Sequence, residues 1–191
     1  MKRRHFLALW SMLFVKPIWA KQPYIVTPAQ AEGPFYPVVP IPMRANLVLQ
    51  EQGLAGEPIA LQGRVLDVQG LPLSGIKIEI WQCDGEGVYA HPQQPNNQSF
   101  DRHFAGFGAV VTDKEGQYQF RTIHPVPYTG RPPHIHVKLW RGDNELLTTQ
   151  LYLNGQTGNE WWGGRERQYL QFEPKELSGG VVGEFDFIVV T

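Results

Sequence analysis

Apolar residues in this chain come in short runs closed by Gly or Pro, and nowhere do they recur at helical spacing for more than two turns. With 20 glycines and 16 prolines among 191 residues, this punctuation keeps each run to strand length. Ile59 to Gly70 (IALQGRVLDVQG) alternates apolar and polar residues and ends in a turn. Leu71 to Trp81 predicts a second strand, with Ile76, Ile78 and Ile80 on one face. Ala109–Thr112 and Gln117–Ile123 flank Asp113-Lys114-Glu115-Gly116, a hairpin turn. Leu146–Leu153 follows a turn at Trp140–Asn144, and Gly180–Val190 is the final alternating strand. The pattern predicts an all-β fold: a two-sheet β-sandwich of about eight strands with long active-site loops, long enough to bury one core.

Three regions follow from composition. Residues 1–20 open with Lys2-Arg3-Arg4, continue with an apolar run from Phe6 to Val15 and close at Ile18-Trp19-Ala20. That is the layout of an export signal, here twin-arginine-like, and it predicts a periplasmic or exported protein. The run is too short for a stable membrane span. Residues 21–58 are rich in Pro and polar residues; the prolines between 34 and 42 forbid a helix and predict an extended N-terminal arm. Residues 59–191 form the sandwich domain. Between its second and third strands, QCDGEGVYAHPQQPNNQSFDRHF is a long polar stretch of the kind that carries function.

Charge narrows the partners. The chain has 17 basic and 18 acidic residues, and four of the basic ones lie in residues 1–20, so the remainder is net −5. Such a surface repels nucleic acid and anionic lipid, and neither is expected as a partner. The single cysteine, Cys83, allows no intrachain disulfide and no Cys-rich zinc site; it reads as a small buried residue at a strand end.

The chemistry gathers in VPYTGRPPHIHV, residues 126–137. On a strand, His134 and His136 point to one face while Ile135 and Val137 point to the other. Two histidines on one face are half of a metal site. A carboxylate would be their usual partner on iron, yet the nearest downstream acid, Asp143, lies across a turn. The HxHxDH pattern of zinc hydrolases is absent. The oxygen donors close by are phenols, Tyr128 and, in the long loop, Tyr89. Taken singly, Tyr128 would be a turn tyrosine, Tyr89 an aromatic plug over a core edge and Arg131 a surface cation.

Taken in order, Trp81-Gln82-Cys83-Asp84, Gly87-Val88-Tyr89, Phe107-Gly108, Thr112-Asp113, Gly116, Tyr118, Phe120, Thr122-Ile123, Pro127-Tyr128, Arg131-Pro132 and His134-Ile135-His136 resemble the intradiol ring-cleavage dioxygenases. Within that family the resemblance is to the protocatechuate-type, iron-binding (beta) subunits. It implies a non-haem Fe(III) held by Tyr89, Tyr128, His134 and His136. It also implies a small aromatic diol and O2 as substrates, and a muconate-type diacid as product. Tyr128 would be the tyrosinate that leaves and acts as a base, and Arg131 a catalytic residue that stabilises negative charge on the ring. Gln150 and Tyr36 would bind substrate. Ionising a phenol of pKa about 10 at pH 7 costs roughly 4 kcal/mol, which a strongly acidic cation can offset. Assembly with itself or with a non-catalytic chain is left open.

Only five residues separate Tyr128 from His134, fewer than in the protocatechuate and catechol enzymes, so the pocket wall there is expected to differ. A non-enzymatic alternative remains at this stage. GRVLDVQGLPLSGIKIEIW with TDKEGQYQF also resembles transthyretin-like and carboxypeptidase-regulatory binding modules, which have no use for the two tyrosines and the His pair together.

Overall fold

The computed structural model describes residues 24–156 and 165–191. The export signal assigned to residues 1–20 and the segment with Trp161 and Trp162 lie outside the described residues. In chain order the strands are β1 (Pro58–Asp67), β2 (Lys77–Trp81), β3 (Phe107–Val111), β4 (Gln117–Ile123), β5 (His134–Arg141), β6 (Asn144–Leu153), β7 (Gln171–Phe172), β8 (Lys175–Leu177), β9 (Gly180–Glu184) and β10 (Phe187–Val189). They form two five-stranded sheets. In one, β1 pairs antiparallel with β4 and parallel with β9 and β10, and β8 pairs with β9. The other runs β3-β2-β5-β6-β7. Among the described residues the helical content is two short 3₁₀ turns, and no helix is long and apolar enough to cross a membrane.

The expected sandwich is present, with two corrections to its strands. The run from Leu71 becomes a strand only at Lys77, because Gly75 takes a left-handed φ of +74° that breaks the extended chain. The run from Gly180 is divided at Phe185–Asp186 into β9 and β10. There the Phe185 carbonyl passes directly over Gly63, where an added Cβ would lie 1.9 Å from its oxygen. The Asp186 carboxylate accepts the Arg64 backbone N–H at 2.8 Å in place of a ladder bond. This division and the short β7 and β8 bring the described strands to ten rather than about eight.

Ile135, Val137 and Leu139 of β5 face inward and join Leu61, Ile78, Ile80, Phe120 and Phe187 in the core between the sheets. Alternation therefore turns His134, His136 and Lys138 onto the outer face of the second sheet. That face is not left to solvent, since all six residues from His134 to Leu139 are buried. The arm and the β2–β3 loop cover it.

The arm is ordered by backbone pairing rather than by its own structure. Thr27 exchanges hydrogen bonds with Ile188, Gln30 N–H reaches the Thr148 carbonyl, and Leu47 N–H reaches the Arg121 carbonyl. Leu47 and Val48 enter the main core, whereas Phe35 and Tyr36 pack on a second, smaller cluster of Trp81, Cys83 and Tyr89 on the outer face.

Candidate metal centre

The strand register sets the histidines. His136 lies opposite Trp81 on one side and Gln150 on the other, and His134 lies opposite Tyr152. The Trp81 indole stacks on the His136 ring at 4.9 Å and 8°. His134 and His136 are each 1% exposed, and their Nε2 atoms approach to 3.0 Å. His134 Nδ1 lies 2.7 Å from the Pro132 carbonyl, which can only accept, so Nδ1 carries the proton and Nε2 presents a lone pair. His136 Nδ1 is buried with no protein partner. Burial pushes the His134 pKa down to about 4, and burial together with the neighbouring His134 holds His136 well below the usual range. Two neutral imidazoles therefore converge.

Tyr89 reaches them from the β2–β3 loop, its hydroxyl 3.5 Å from His134 Nε2. Asp84 organises that loop. Its Oδ1 accepts the backbone N–H groups of Glu86 and Val88 at 3.0 and 2.9 Å, and its Oδ2 accepts that of Asp101 at 2.8 Å. Tyr128 comes from the other side on a tight turn. Its backbone pairs with that of Arg131 across Thr129 and Gly130, and Gly130 takes φ +76°. The short Tyr128–His134 segment is thus closed by a two-residue turn that fixes Tyr128 beside Arg131. The Tyr89 and Tyr128 rings meet edge to face at 5.5 Å.

Burial raises the pKa of both phenols. At Tyr128 the nearby Arg131 charge counteracts that rise, so Tyr128 is the more readily ionised of the pair. Among the described residues no three His, Cys, Asp or Glu side chains gather around a point, and the side-chain oxygen that reaches the facing histidine nitrogens is the Tyr89 phenol. Two nitrogen lone pairs at 3.0 Å repel one another unless a cation or a proton lies between them. Two buried phenols meet the same need from the other side. The donor set fits a hard, highly charged metal ion.

Arg131 and Gln150 adjoin this group. Arg131 Nη2 donates to Gln150 Oε1 at 2.5 Å, Gln150 Nε2 donates to the Ala31 carbonyl at 2.7 Å, and the Tyr152 hydroxyl donates to Gln150 Oε1 at 2.9 Å. Tyr36, expected to bind substrate, is not brought to the donors. Its hydroxyl donates to Glu79 Oε2 at 2.9 Å, and its ring meets the far side of Trp81. The adjacent Phe35 stands there instead, stacked on Tyr89 at 4.6 Å and 6.4 Å from Tyr128. Phe35 and Tyr36 sit in a turn and bend that follow Gly33 at φ +79°, and which of two neighbouring aromatics such a turn aims at the donors has no sequence signal.

Sequence reasoning gave no role to Asp84, Gly33 or Tyr152, whose ring lies 5.9 Å from that of His134. Gly33 (φ +79°) passes so close to the site that a Cβ would stand 3.2 Å from His136 Cε1. Lys138 holds this part of the arm down through its ion pair with Glu32. His103 pairs with Asp101, and His91, though buried against Phe35, accepts the Gln93 backbone N–H through Nδ1. Cys83 is a packing residue, as expected; burial pushes its thiol up to about 12.

A β-sandwich with two imidazoles and two phenols converging on its outer sheet face is a narrow combination, and sequence and structure comparisons agree on the family that carries it. A sequence profile of the Dioxygenase family matches residues 31–158. The protocatechuate 3,4-dioxygenase beta chain of Burkholderia cepacia is 39% identical over 109 residues, covering 52% of this chain and 46% of that one. Catechol 1,2-dioxygenase of Candida albicans is 30% identical over 139 residues, covering 63% and 45%. Among solved structures, the dioxygenase domain of a dioxygenase carbohydrate-binding protein fusion from Streptomyces sp. SirexAA-E superposes with a TM-score of 0.73 at 32% identity, covering 87% of this chain and 99% of that one. The chain belongs to the intradiol ring-cleavage dioxygenase family. It spans about half the length of the curated relatives it matches. The comparisons do not favour a transthyretin-like binding module.

Proposed function

We propose that the chain is an Fe(III)-dependent intradiol dioxygenase. It opens the ring of a catechol-type diol between the two hydroxylated carbons and places both atoms of O2 in a muconate-type diacid. The observation that carries this reading is the convergence of Tyr89, Tyr128, His134 and His136 in one buried group. These four residues would hold the non-haem ferric ion. When bound, that ion supplies the Lewis acidity that keeps both phenols ionised and makes a bound diol reactive towards O2.

The remaining work falls to the chain's own side chains. Two phenolates would leave a ferric centre at +1, and a dianionic diol in place of one of them would bring the sum to zero, so the diol could be taken up without creating buried net charge. Tyr128 is suited to be the one replaced. It is less buried than Tyr89, it sits on a two-residue turn, and the Arg131 charge beside it favours the ionised oxygen, which can take a diol proton as Tyr128 swings away. Arg131, held by Gln150, stands next to it and would stabilise negative charge that develops on the ring. Phe35 and Trp81 line the group with apolar surface and keep water from it.

We propose further that residues 1–20 direct export to the periplasm or beyond, on the support of their basic start and short apolar run; a reporter fused after Ala20 tests it by where the reporter is found. The activity itself is tested by oxygen uptake with catechol and substituted catechols, with the product identified by mass. One O2 consumed per diacid formed is expected. Ring opening beside, rather than between, the hydroxylated carbons would refute the assignment.

A further inference from the structure

Arg167, in the 3₁₀ turn Arg165–Tyr169 just before β7, is a buried cation that the proposed reaction does not use. It is 4% exposed, and its guanidinium lies over the Tyr152 ring with Cζ 4.6 Å from the centroid. Among the described residues, neither its Nε nor its Nη1 has a hydrogen-bond acceptor, and no carboxylate pairs with it. A guanidinium stays charged at every physiological pH. Burying one beside an aromatic face with two N–H groups unanswered is unfavourable unless an anion completes the site.

The position of Arg167 says where that anion belongs. Tyr152, on whose face it lies, is the cross-strand partner of His134 and donates its hydroxyl to Gln150 Oε1, which also accepts from Arg131. Arg131, Gln150, Tyr152 and Arg167 therefore form one wall beside the histidine pair, with a guanidinium at each end. An anion held there would be an extension of whatever occupies the diol site rather than a separate ligand. A carboxylate matches the planar guanidinium better than a spherical ion does.

We propose that this wall is an anion subsite in which Arg167 binds a carboxylate carried by the catechol, on its ring or on a short side chain, and so selects carboxylated over unsubstituted diols. The inference rests on the catechol reading above, and two measurements separate their failures. The first compares kcat/KM for 3,4-dihydroxybenzoate, 3,4-dihydroxyphenylacetate and catechol in the iron-loaded wild type and in Arg167→Met. At least one carboxylated diol should be preferred in the wild type. The substitution should reduce kcat/KM for that diol about ten- to a hundredfold, mostly through KM, and leave catechol within about twofold. A wild type that prefers catechol, or an Arg167→Met variant that loses all three diols equally, overturns the proposal and leaves Arg167 as a prop for Tyr152.

The second measurement needs neither iron nor turnover. Benzoate, which has no diol, is titrated by ligand-observed NMR into wild type, Arg167→Met and Arg167→Lys, each first checked for folding by thermal melting. Millimolar binding is expected in the wild type, with partial retention in the lysine variant and loss in the methionine variant. Absence of benzoate binding to the wild type, or binding that Arg167→Met leaves intact, overturns the subsite even if the dioxygenase reading stands. Conversely, benzoate binding that depends on Arg167 in a protein that cleaves no diol upholds the subsite and refutes only the activity.

Discussion

His134 Nε2 and His136 Nε2 face each other across 3.0 Å, in a site where the Pro132 carbonyl has already claimed the other nitrogen of His134. Neither ring can turn away, because Trp81 stacks on one and the strand fixes both. The pair is therefore pre-organised to share something positive. That shared need is the physical basis for reading the outer face of the second sheet as a metal centre.

Acid should destabilise the metal-free protein through these rings. Burial lowers the folded pKa of His134 from 6.5 to about 4 and holds that of His136 well below its ordinary value. The unfolded chain therefore binds more protons in this range, and stability is fully present above pH 6.5 and lost as pH falls towards 4. Each ring that stays neutral while its unfolded counterpart protonates contributes a slope of up to about 1.4 kcal/mol per pH unit. Urea unfolding of iron-free protein between pH 7.5 and 4.5 reads the slope. His134→Gln combined with His136→Gln should flatten it.

Asp84→Ala should loosen the loop that carries Tyr89. The substitution leaves the backbone N–H groups of Glu86, Val88 and Asp101 without their acceptor, in a residue otherwise wholly buried. A loss of about 2–4 kcal/mol follows from one buried charged acceptor serving three donors. Denaturant melts measure the stability, and iron titration should show weakened binding as well. Asp84→Asn keeps Oδ1 as an acceptor and should recover part of both.

Much of this was legible in the sequence, and what was not has specific causes. The alternation of HIHV placed both histidines on one face, and the ordered motifs identified Tyr89 and Tyr128 as their partners. Phe35 rather than Tyr36 faces the donors because a turn after Gly33, at φ +79°, sets the directions of both side chains, which no local pattern encodes. Leu71 to Gly75 reads as strand by composition, but Gly75 needs a left-handed turn there. Arg167 and Tyr152 meet only because β7 pairs parallel with the end of β6, a contact that no local sequence pattern encodes.

Gly33→Ala should perturb the centre without unfolding the domain. At φ +79° an alanine costs about 1–2 kcal/mol, and its Cβ would press on His136 Cε1 from 3.2 Å. The arm must lift slightly, and Phe35 moves with it. The expected outcome is a protein of near-normal melting temperature, a changed visible spectrum when iron-loaded, and a raised KM for the diol. An unchanged spectrum would mean that the arm does not bear on the site.

The two tyrosines should differ. Tyr128→Phe removes the more easily ionised phenol, the one beside Arg131, and should reduce turnover about a hundredfold or more while iron still binds. Tyr89→Phe removes the buried phenol nearer the histidines and should weaken iron binding itself. Because each change deletes only a hydroxyl, the metal-free melts of both should stay close to the wild type. Iron content after dialysis, set beside oxygen uptake, distinguishes the two.

The central claim is that Tyr89 and Tyr128 bind a ferric ion together with His134 and His136, and the visible spectrum of the iron-loaded protein tests it most directly. Phenolate bound to Fe(III) gives a strong charge-transfer absorption, so one iron per chain should make the protein red. The band should shift when a catechol is added without oxygen, and Tyr128→Phe should change it. Protein that holds one ferric ion per chain and is colourless would contradict the account.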